Sequence, residues 1–339
     1  MKAVVLVGGE GTRLRPLTET VPKPLLPLVD RPFLHHVLDH LGAHGVHEVV
    51  LSSPYLEETF HPFLASRHGE PKIEWITEPE PLGTAGAIVN ALEHVSDAAF
   101  LVLNGDILTD LDLGSLVRFH RDREAVATIS LATVEDARPY GLVETAPDGR
   151  VLEFREKPSR LVPGNVNAGT YVLEPRALDG WERGRPASIE RAVYPALIGR
   201  ADPVYAFLSD AYWIDAGTPE RYLQAHFDAL DGRLAGLELE APFIAESAVI
   251  APTATIGRLV AVGEGAEVEG GADVDQSVLH RRATVDEGAR VIRSILGCAS
   301  RVGAGAVVTD SVLAEGAAVP DGMRVHGVRV PPGEIAVSH

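Results

Sequence analysis

Residues 1–27 read MKAVVLVGGEGTRLRPLTETVPKPLLP, and this stretch decides how the rest of the chain is interpreted. Ala3 to Val7 have the composition of a buried strand, and a glycine-rich turn at Gly8–Gly11 follows directly. Glycines let backbone N–H groups approach an anion closely, and Arg13 and Lys23 can add fixed positive charge beside those groups. The segment therefore predicts a strand that ends in a phosphate-binding turn.

Two common phosphate-binding signatures do not fit this turn. A dinucleotide-binding fingerprint needs a third glycine where Leu14 stands, and the G-x-x-x-x-G-K-[ST] signature is absent. A tight turn without function is the remaining alternative. The Thr-Arg pair at 12–13 and the Pro-Lys-Pro run at 22–24 favour phosphate binding over it.

Composition excludes several classes of protein. The chain has 339 residues, of which 45% are hydrophobic, so it can bury a large core and is expected to form two domains. Its net charge of −18 argues against nonspecific binding to nucleic acids or acidic membranes. It has no long apolar run and no signal peptide before the first strand. One cysteine, Cys298, excludes an intrachain disulfide framework, and a cytoplasmic enzyme fits all of these features.

Up to residue 236, strand patterns alternate with helical patterns. This rhythm predicts an α/β domain over 1–236 with a doubly wound, mostly parallel sheet. Its last helix is capped by Thr218, has Pro219 in its first turn and ends before Gly232. The predicted strands are Glu48–Ser52, Lys72–Ile76, Ala99–Leu103 and Ala127–Thr133, and other predicted helices are Phe33–Ala43 and Ala85–His94.

From Phe243 the chain becomes a repeat of short residues, glycines and single aliphatics. Val262, Val268 and Val274 recur every six residues, and Val278, Ile295 and Val312 then recur every 17. A six-residue period predicts a parallel β-helix, in which three strands complete one coil and neighbouring coils share an interior. We assign this second domain to residues 243–330. Because 17 is one residue short of three sixes, one corner of each coil is expected to be tightened.

Three other features have both a functional and a simpler interpretation, the functional one for the three histidines being a metal-binding face. Asp106 follows a buried strand, so it is expected at the carboxyl edge of the sheet where ligands bind, although Asn-Gly-Asp is also ordinary turn chemistry. His36, His40 and His44 step by four along one helix and are expected to form a solvated polar face. Cys298 is expected to be an inert thiol.

The sequence GGEGTRLRPLT…PKPLLP resembles the signature of the sugar-1-phosphate nucleotidyltransferases, also called NDP-sugar pyrophosphorylases. The resemblance implies a Rossmann-like catalytic domain, and the C-terminal hexapeptide repeat resembles the left-handed β-helix found in this family. Five further motifs match in the family's order: Glu78-x-x-Pro81-Leu82-Gly83-Thr84-Ala85-Gly86, Tyr140-Gly141, Glu156-Lys157-Pro158, Asn167-Ala168-Gly169-Thr170-Tyr171 and Trp213-Ile214-Asp215-Ala216-Gly217-Thr218-Pro219.

The resemblance also implies residue roles. Asp106 and Asp215 are the implied Mg²⁺ ligands, and the two substrates are a nucleoside triphosphate and a sugar 1-phosphate. The implied catalytic residues are Arg13, Lys23, Asp106, Lys157 and Asp215. The implied nucleotide-binding residues are Leu6, Gly8, Gly9, Gly11, Thr12, Arg13, Lys23, Glu78, Pro81, Gly83, Thr84 and Asp106. The implied sugar-phosphate-binding residues are Gly141, Glu156, Lys157, Asn167 and Asp215.

Three features resemble the mannose-1-phosphate guanylyltransferases that carry a trailing β-helix: Val7-Gly8-Gly9, the loop at 80–86 and the segment Ser188–Pro195. They imply GTP and mannose 1-phosphate as substrates. Thymidylyl or adenylyl transfer to glucose 1-phosphate and a cyclitol phosphate substrate remain alternatives. A β-helix acyltransferase using His280 or His326, and a regulatory relative that senses sugar nucleotides, are alternatives from other classes. The flat faces of a solenoid predict a homo-oligomer.

Overall fold

A computed structural model of the chain describes residues 1–54, 57–78 and 80–337. It contains two compact units, one formed by Met1–Gly9 with His36–Trp213 and the other by Glu10–His35 with the residues from Ile214 onward. The domain boundary between residues 236 and 243 stays a prediction. Strands β1–β13 are Lys2–Leu6, Pro27–Leu28, Arg31–Pro32, Glu48–Ser53, Lys72–Thr77, Phe100–Asn104, Ile107–Thr109, Ala127–Val134, Gly141–Thr145, Val151–Glu156, Gly164–Leu173, Val204–Leu208 and Trp213–Asp215. Helices α1–α6 are Phe33–Ala43, Glu57–Ser66, Gly83–Val95, Leu113–Asp122, Tyr194–Gly199 and Pro219–Leu230.

The first unit is built on one nine-stranded sheet. Its order is β10-β9-β11-β6-β1-β4-β5, with β8 beside β11 and β12 beside β8. Strands β6, β1, β4 and β5 run parallel, as do β12 and β8, whereas β11 is antiparallel to β6, β8 and β9. The α/β class predicted from the sequence is confirmed, and each of the four predicted strands coincides with an observed one. Antiparallel pairing enters only in the half of the sheet that contains β8 to β11.

Apolar strands and residues of helices α3 and α5 form a buried core cluster in this unit. Val4 and Val102 on neighbouring parallel strands have no exposed surface, and Ile88 of α3 belongs to the same buried cluster. Burying a side chain of this size contributes about 1.5–3 kcal/mol, so the continuous apolar runs stabilise the sheet where both of its faces are covered. The polar residues that follow these strands are therefore available to form the candidate site.

The second unit contains residues 10–35, helix α6 and the β-helix. The side chain of Thr218 accepts a hydrogen bond from the backbone N–H of Arg221, and Pro219 occupies the first helical position. The helix ends at Leu230, and Gly232 lies just beyond it with a φ of 70°. These features confirm the helix boundaries predicted from capping chemistry.

The β-helix contains sixteen short strands stacked in three parallel sheets of six, five and five strands. Phe243 pairs with Ala261, 18 residues later, while Ala261 pairs with Val278 and Val278 with Ile295 at spacings of 17. The predicted coil is therefore confirmed. Strands β14–β29 are Phe243–Ile244, Val249–Ile250, Thr255–Ile256, Ala261–Val262, Glu267–Val268, Asp273–Asp275, Val278–Leu279, Thr284–Val285, Arg290–Ile292, Ile295–Leu296, Arg301–Val302, Val307–Thr309, Val312–Leu313, Ala318–Val319, Arg324–His326 and Arg329–Val330.

One corner of each 17-residue coil is tightened, as the period predicted. It lies between β19 and β20 and recurs in the next two coils. In all three corners the first residue has a φ of 45° to 49°. The serine that follows donates a hydrogen bond to the carbonyl two residues before it and accepts one from a backbone N–H in the next coil. A column of buried serine hydroxyls thus connects the shortened corners of neighbouring coils by hydrogen bonds. Its members are Ser277, Ser294 and Ser311.

The solvated face predicted for His36, His40 and His44 is wrong for the first two, while His44, one residue beyond α1, is exposed. His36 is buried, and His40 is partly buried, with its ring 4.5 Å from that of His44. Burial and the neighbouring His44 lower the pKa of His40 to about 4, so its ring is neutral at physiological pH. Among the described residues, no helix has the length and apolar character needed to cross a bilayer.

Candidate active site

The glycine turn that the sequence singled out has a backbone shape that requires glycine at Gly11. Its φ is 61°, in the left-handed region, and a β-carbon there would lie 2.9 Å from Cγ2 of Thr18. The Thr18 hydroxyl donates a 2.8 Å hydrogen bond to the Gly11 carbonyl, and the N–H of Leu14 donates to the same oxygen. These bonds fix the short helical turn Thr12–Leu14, which carries Arg13.

Asp215 links the two cations of the N-terminal signature. Its Oδ1 lies 3.3 Å from Nζ of Lys23, and its Oδ2 lies 3.5 Å from Nη2 of Arg13. The side chains of Lys23 and Asp215 are only 9% and 13% exposed, whereas that of Arg13 is 57% exposed. Because a buried ammonium group is costly unless it is paired, the carboxylate supplies charge that Lys23 needs. The structure therefore brings together three of the five predicted catalytic residues.

Gly217 is a site residue that sequence reasoning did not identify. A β-carbon on it would lie 2.6 Å from Nη2 of Arg13 and 2.7 Å from Oδ1 of Asp215. Both distances are shorter than real contacts, so a β-carbon here would displace the Arg13 guanidinium or the Asp215 carboxylate from this ion pair. The signal was present in the sequence, because Gly217 is the glycine of the segment Trp213–Pro219.

In the first unit, the carboxyl ends of β1 and β6 come together. The N–H of Gly105 donates a 2.9 Å hydrogen bond to the carbonyl of Leu6, and a β-carbon on Gly105 would lie 2.9 Å from that oxygen. Asp106 follows directly, at the sheet edge that the sequence predicted. At the end of β1, a β-carbon on Gly8 would lie 2.6 Å from Cδ of Pro54. The turn after β1 is therefore closely packed, while Gly9 has open space beside it.

Glu78 is a loop-fixing residue in this structure. It is 4% exposed, Oε1 accepts a hydrogen bond from the hydroxyl of Ser52, and Oε2 accepts one from the N–H of Leu82. Gly83 follows with a φ of 68°, and a β-carbon there would lie 2.8 Å from the carbonyl of Ala187. Glu78 thus holds the loop that includes Pro81, while Pro79 lies outside the described residues.

Thr84 connects two motifs that lie far apart in sequence. Its hydroxyl donates a 2.8 Å hydrogen bond to Oε2 of Glu190 and accepts one from the N–H of Ile189. Ser188 also donates to Oε2 of Glu190, at 2.6 Å. The loop at 80–86 and the segment Ser188–Pro195 therefore form one hydrogen-bonded structure. Sequence reasoning assigned no site role to Glu190.

Glu156, Lys157 and Gly141 lie together at one end of a strand pair. Glu156 is paired with Gly141 across β10 and β9, and a β-carbon on Gly141 would lie 3.0 Å from Oε2 of Glu156. Burial raises the pKa of Glu156, the nearby carboxylate of Glu190 raises it further, and Lys157 opposes both effects. The side chain of Lys157 is 59% exposed, with Nζ 3.6 Å from Oε1 of Glu156.

Asn167 is held in place by its own neighbours. Its Nδ2 donates a 2.8 Å hydrogen bond to the hydroxyl of Tyr171, and its Oδ1 accepts one from the N–H of Gly169. The register of β11 against β8 shifts between Asn167 and Tyr171, so this segment bulges out of regular pairing. Tyr171 is completely buried, and burial raises the pKa of its hydroxyl well above the ordinary value.

The solenoid histidines do not have the setting of catalytic bases. His280 is 4% exposed, and burial lowers its pKa to about 3. His326 is 75% exposed at its side chain and lies beside Asp310. Burial, and then the charge of Glu315, raise the pKa of the Cys298 thiol. An inert thiol was predicted from the sequence, and this shift agrees with it.

The predicted metal ligands are two carboxylates, Asp106 in the first unit and Asp215 in the second. Among the described residues, no group of three or more histidine, cysteine, aspartate or glutamate side chains is arranged to hold a metal. Mg²⁺ usually takes one or two protein carboxylates and completes its shell with substrate phosphates and water. Carboxylate oxygens are donors that suit Mg²⁺, and the assignment of Asp106 and Asp215 as its ligands stays a prediction.

The chain resembles characterised proteins along its whole length. A family model described as nucleotidyl transferase matches residues 2–232, and one described as GMPPB C-terminal domain matches residues 239–337. A mannose-1-phosphate guanylyltransferase from Mycobacterium tuberculosis is 37% identical, over 95% of this chain and 80% of that protein. Mannose-1-phosphate guanylyltransferase 1 from Arabidopsis thaliana is 36% identical, over 96% and 94%. Among solved structures, HddC from Yersinia pseudotuberculosis complexed with GMP-PN is 32% identical with a TM-score of 0.59, over 66% of this chain and 97% of that one.

Proposed function

Because the chain belongs to the nucleotidyl transferase family, we propose that it transfers a guanylyl group from GTP to mannose 1-phosphate, forming GDP-mannose and pyrophosphate. The nucleotide and the sugar are inferred from the names of the similar proteins and from the linked motifs at Thr84 and Glu190. The observation that carries the proposal is the contact of Asp215 with both Arg13 and Lys23, since it gathers cations next to a carboxylate in a strongly acidic chain.

The proposed reaction requires no nucleophile from the protein. An oxygen of the sugar phosphate attacks the α-phosphorus of GTP, and the bond from that phosphorus to the β-phosphate oxygen breaks as pyrophosphate leaves. Both reactants are polyanions, so the protein has to align them and neutralise their charge. We assign the β- and γ-phosphates to Arg13, the α-phosphate to Lys23 and the sugar phosphate to Lys157.

The remaining assignments concern the metal and the sugar. Asp106 and Asp215 are the proposed ligands of Mg²⁺, which when bound neutralises charge on the phosphate oxygens. Glu156 and Asn167 are the proposed contacts to the sugar hydroxyls, and the close packing at Gly141 keeps backbone next to Glu156. The nucleotide is assigned to the loop at 80–86 and to the turn that follows β1.

Two properties of the whole protein also belong to this proposal. We expect a homo-oligomer, because the β-helix offers flat faces. We also expect a cytoplasmic location, which fits the acidic composition and the single cysteine. Sedimentation velocity on the purified full-length chain tests the first expectation. A single monomeric species at micromolar concentration would contradict it.

A substrate panel tests the function directly. The purified enzyme is incubated with Mg²⁺, five nucleoside triphosphates and the 1-phosphates of mannose, glucose and a cyclitol, and pyrophosphate release is measured. We expect GTP with mannose 1-phosphate to give the highest kcat/KM, and excess EDTA to abolish turnover. Preference for another nucleotide would refute guanylyl transfer but leave the reaction class intact, and no turnover with any pair would favour the sensing relative.

Point variants test the residue assignments within the same assay. Removing one electrostatic stabiliser typically costs on the order of 10²–10³ in kcat, so Lys23→Ala and Asp106→Ala should each fall by about a hundredfold or more. Lys72→Ala is the matched control, because Lys72 is exposed at the start of β5 and belongs to none of the motifs. Near-normal turnover in either site variant would show that these role assignments are wrong.

A further inference from the structure

The segment that carries the two proposed phosphate-binding cations is held at both ends by side chains of its own unit. We call residues 10–27 the cation segment, since it contains Arg13 and Lys23. It belongs to the same compact unit as the β-helix. Its Pro-Lys-Pro-Leu-Leu-Pro end contains three prolines, which lack backbone N–H groups, so it can form fewer backbone hydrogen bonds than a regular segment of that length. Side chains from other parts of the unit add to its restraint.

At the first end, an arginine of the last coil contacts the turn around Arg13. Nη1 of Arg329, in β29, donates hydrogen bonds to the carbonyl oxygens of Arg13 and Arg15, at 3.3 and 3.2 Å. These carbonyls flank Leu14, the last residue of the short helical turn. A charged donor bridging two carbonyls separated by one residue restrains the backbone on both sides of Leu14.

At the second end, a buried chain of hydrogen bonds reaches Pro27. Tyr222 of α6 is 1% exposed, and its hydroxyl donates to the carbonyl oxygen of Pro27. Nε2 of His280, in the β-helix, lies 3.0 Å from the same hydroxyl oxygen. The single hydroxyl hydrogen of Tyr222 is donated in the hydrogen bond to Pro27. Nε2 of His280 must therefore be protonated and donate a hydrogen bond to the hydroxyl oxygen of Tyr222. Burial keeps His280 neutral, which fits this one-proton role.

The second anchor also bears on Asp215. Tyr222 lies on α6, which begins at Pro219, four residues after Asp215. Pro27 lies four residues after Lys23. A bond from Tyr222 to Pro27 therefore ties together the two segments whose side chains meet in the 3.3 Å contact between Lys23 and Asp215. Small displacements of positioned groups have large effects on rate, since misplacement by about 1 Å can cost on the order of a hundredfold.

We propose that Arg329 and the pair Tyr222–His280 are positioning residues for nucleotidyl transfer, through which the β-helix holds Arg13 and Lys23 in their catalytic geometry. This inference rests on the roles proposed above for those two cations. It gives the solenoid a part in the chemistry in addition to any part in assembly. None of the three residues is expected to contact substrate.

Steady-state kinetics with full-length variants tests Arg329. We expect Arg329→Gln to lower kcat about tenfold while KM for GTP changes by less than about threefold, and Arg329→Lys to recover part of the loss because it keeps a charged donor. The melting temperature should hardly change, because Arg329 is exposed at the surface. In an Arg13→Ala background, Arg329→Gln should have less than a twofold further effect, since it acts through Arg13. Full additivity of the two substitutions would overturn this part of the proposal.

The second anchor is tested by removing single atoms. Tyr222→Phe deletes only the hydroxyl, and we expect kcat to fall about tenfold; His280→Leu should resemble it, while His280→Gln keeps a donor and should retain more activity. Tyr194→Phe is the matched control, because its buried hydroxyl has no hydrogen-bond partner among the described residues. Unchanged kcat in Tyr222→Phe would refute the anchor.

Hydrogen exchange separates this inference from the proposed function. Amides of Leu14, Leu25 and Leu26 donate hydrogen bonds inside the cation segment, so their exchange reports its order. We expect Arg329→Gln to speed exchange at Leu14, and Tyr222→Phe to speed it at Leu25 and Leu26 by about tenfold, with no change in Tyr194→Phe. Unchanged exchange in both variants would refute positioning even if the enzyme is active. Faster exchange in a protein without nucleotidyltransferase activity would refute only the function.

Discussion

Replacing Asp215 should destabilise the protein far more than replacing its partner Lys23. Asp215→Asn leaves the buried ammonium of Lys23 without the carboxylate 3.3 Å away, whereas Lys23→Met leaves Asp215 still paired with Arg13 at 3.5 Å. At 3.3 Å and an effective dielectric constant near 20, the Coulomb energy of the pair is about 5 kcal/mol. Part of this is offset by desolvation, so we expect a loss of about 3 kcal/mol for Asp215→Asn and about 1 kcal/mol or less for Lys23→Met.

Calorimetry of the two variants and the double variant measures this asymmetry. A loss of about 3 kcal/mol in the second unit corresponds to a fall of roughly 6 °C or more in melting temperature. Asp215→Asn should show that fall, Lys23→Met should show a small one, and the double variant should recover most of the stability because neither charge of the Lys23–Asp215 pair remains. Equal losses in both single variants, or none in Asp215→Asn, would mean that Asp215 is not the counter-charge of Lys23.

Three further outcomes follow from the structure. Gly217→Ala should lower kcat about tenfold, because the added β-carbon meets Arg13 and Asp215. Gly199→Ala is the control and should leave kcat unchanged, because the space beside Gly199 is open. Equal kcat values in the two variants would contradict this. The pKa of His280 in the folded state is about 3, below the unfolded value of 6.5, so stability is complete above pH 6.5 and falls by about 2 kcal/mol by pH 5. His280→Gln should reduce that loss in urea titrations at pH 7 and pH 5, and an identical pH dependence would refute it. The pKa of Glu156 is raised in the folded state, so its ionised carboxylate lowers the stability of the protein at pH values above the ordinary pKa of a glutamate. Glu156→Gln should therefore raise the melting temperature at pH 7 and not at pH 4. The same variant should weaken sugar phosphate binding, measured by calorimetric titration.

Much of the fold was predictable because its signals are local. The helix Phe33–Ala43 was predicted with its observed bounds, and the end of the last helix followed from Thr218 and Gly232. The 17-residue period predicted both the coil and its tight corner, since each coil repeats the same contacts. The antiparallel pairing of β11 with β6 was not predicted, because strand direction depends on a long connection rather than on composition.

The site was predictable in part, and for a related reason. The motifs identified residues that match the sequence signature of the nucleotidyltransferase family, but the roles of those residues stay predictions. The buried state of His36 was missed because periodicity does not reveal what packs against a polar helix face. Glu78 was predicted to bind the nucleotide, and the structure adds that its oxygens accept hydrogen bonds from Ser52 of β4 and from the backbone of Leu82.

The sequence by itself determined the reaction family, the α/β and β-helix classes and the identity of the cations, because each of these is written in short segments of neighbouring residues. Only the tertiary structure decided that Asp215 meets both Lys23 and Arg13, that Gly217 lies directly against this ion pair, and that Arg329 reaches the turn at Arg13. These contacts join residues about 190 to 316 positions apart, and nothing in the local pattern of either partner specifies the other. Packing selects such pairs from the many that composition allows.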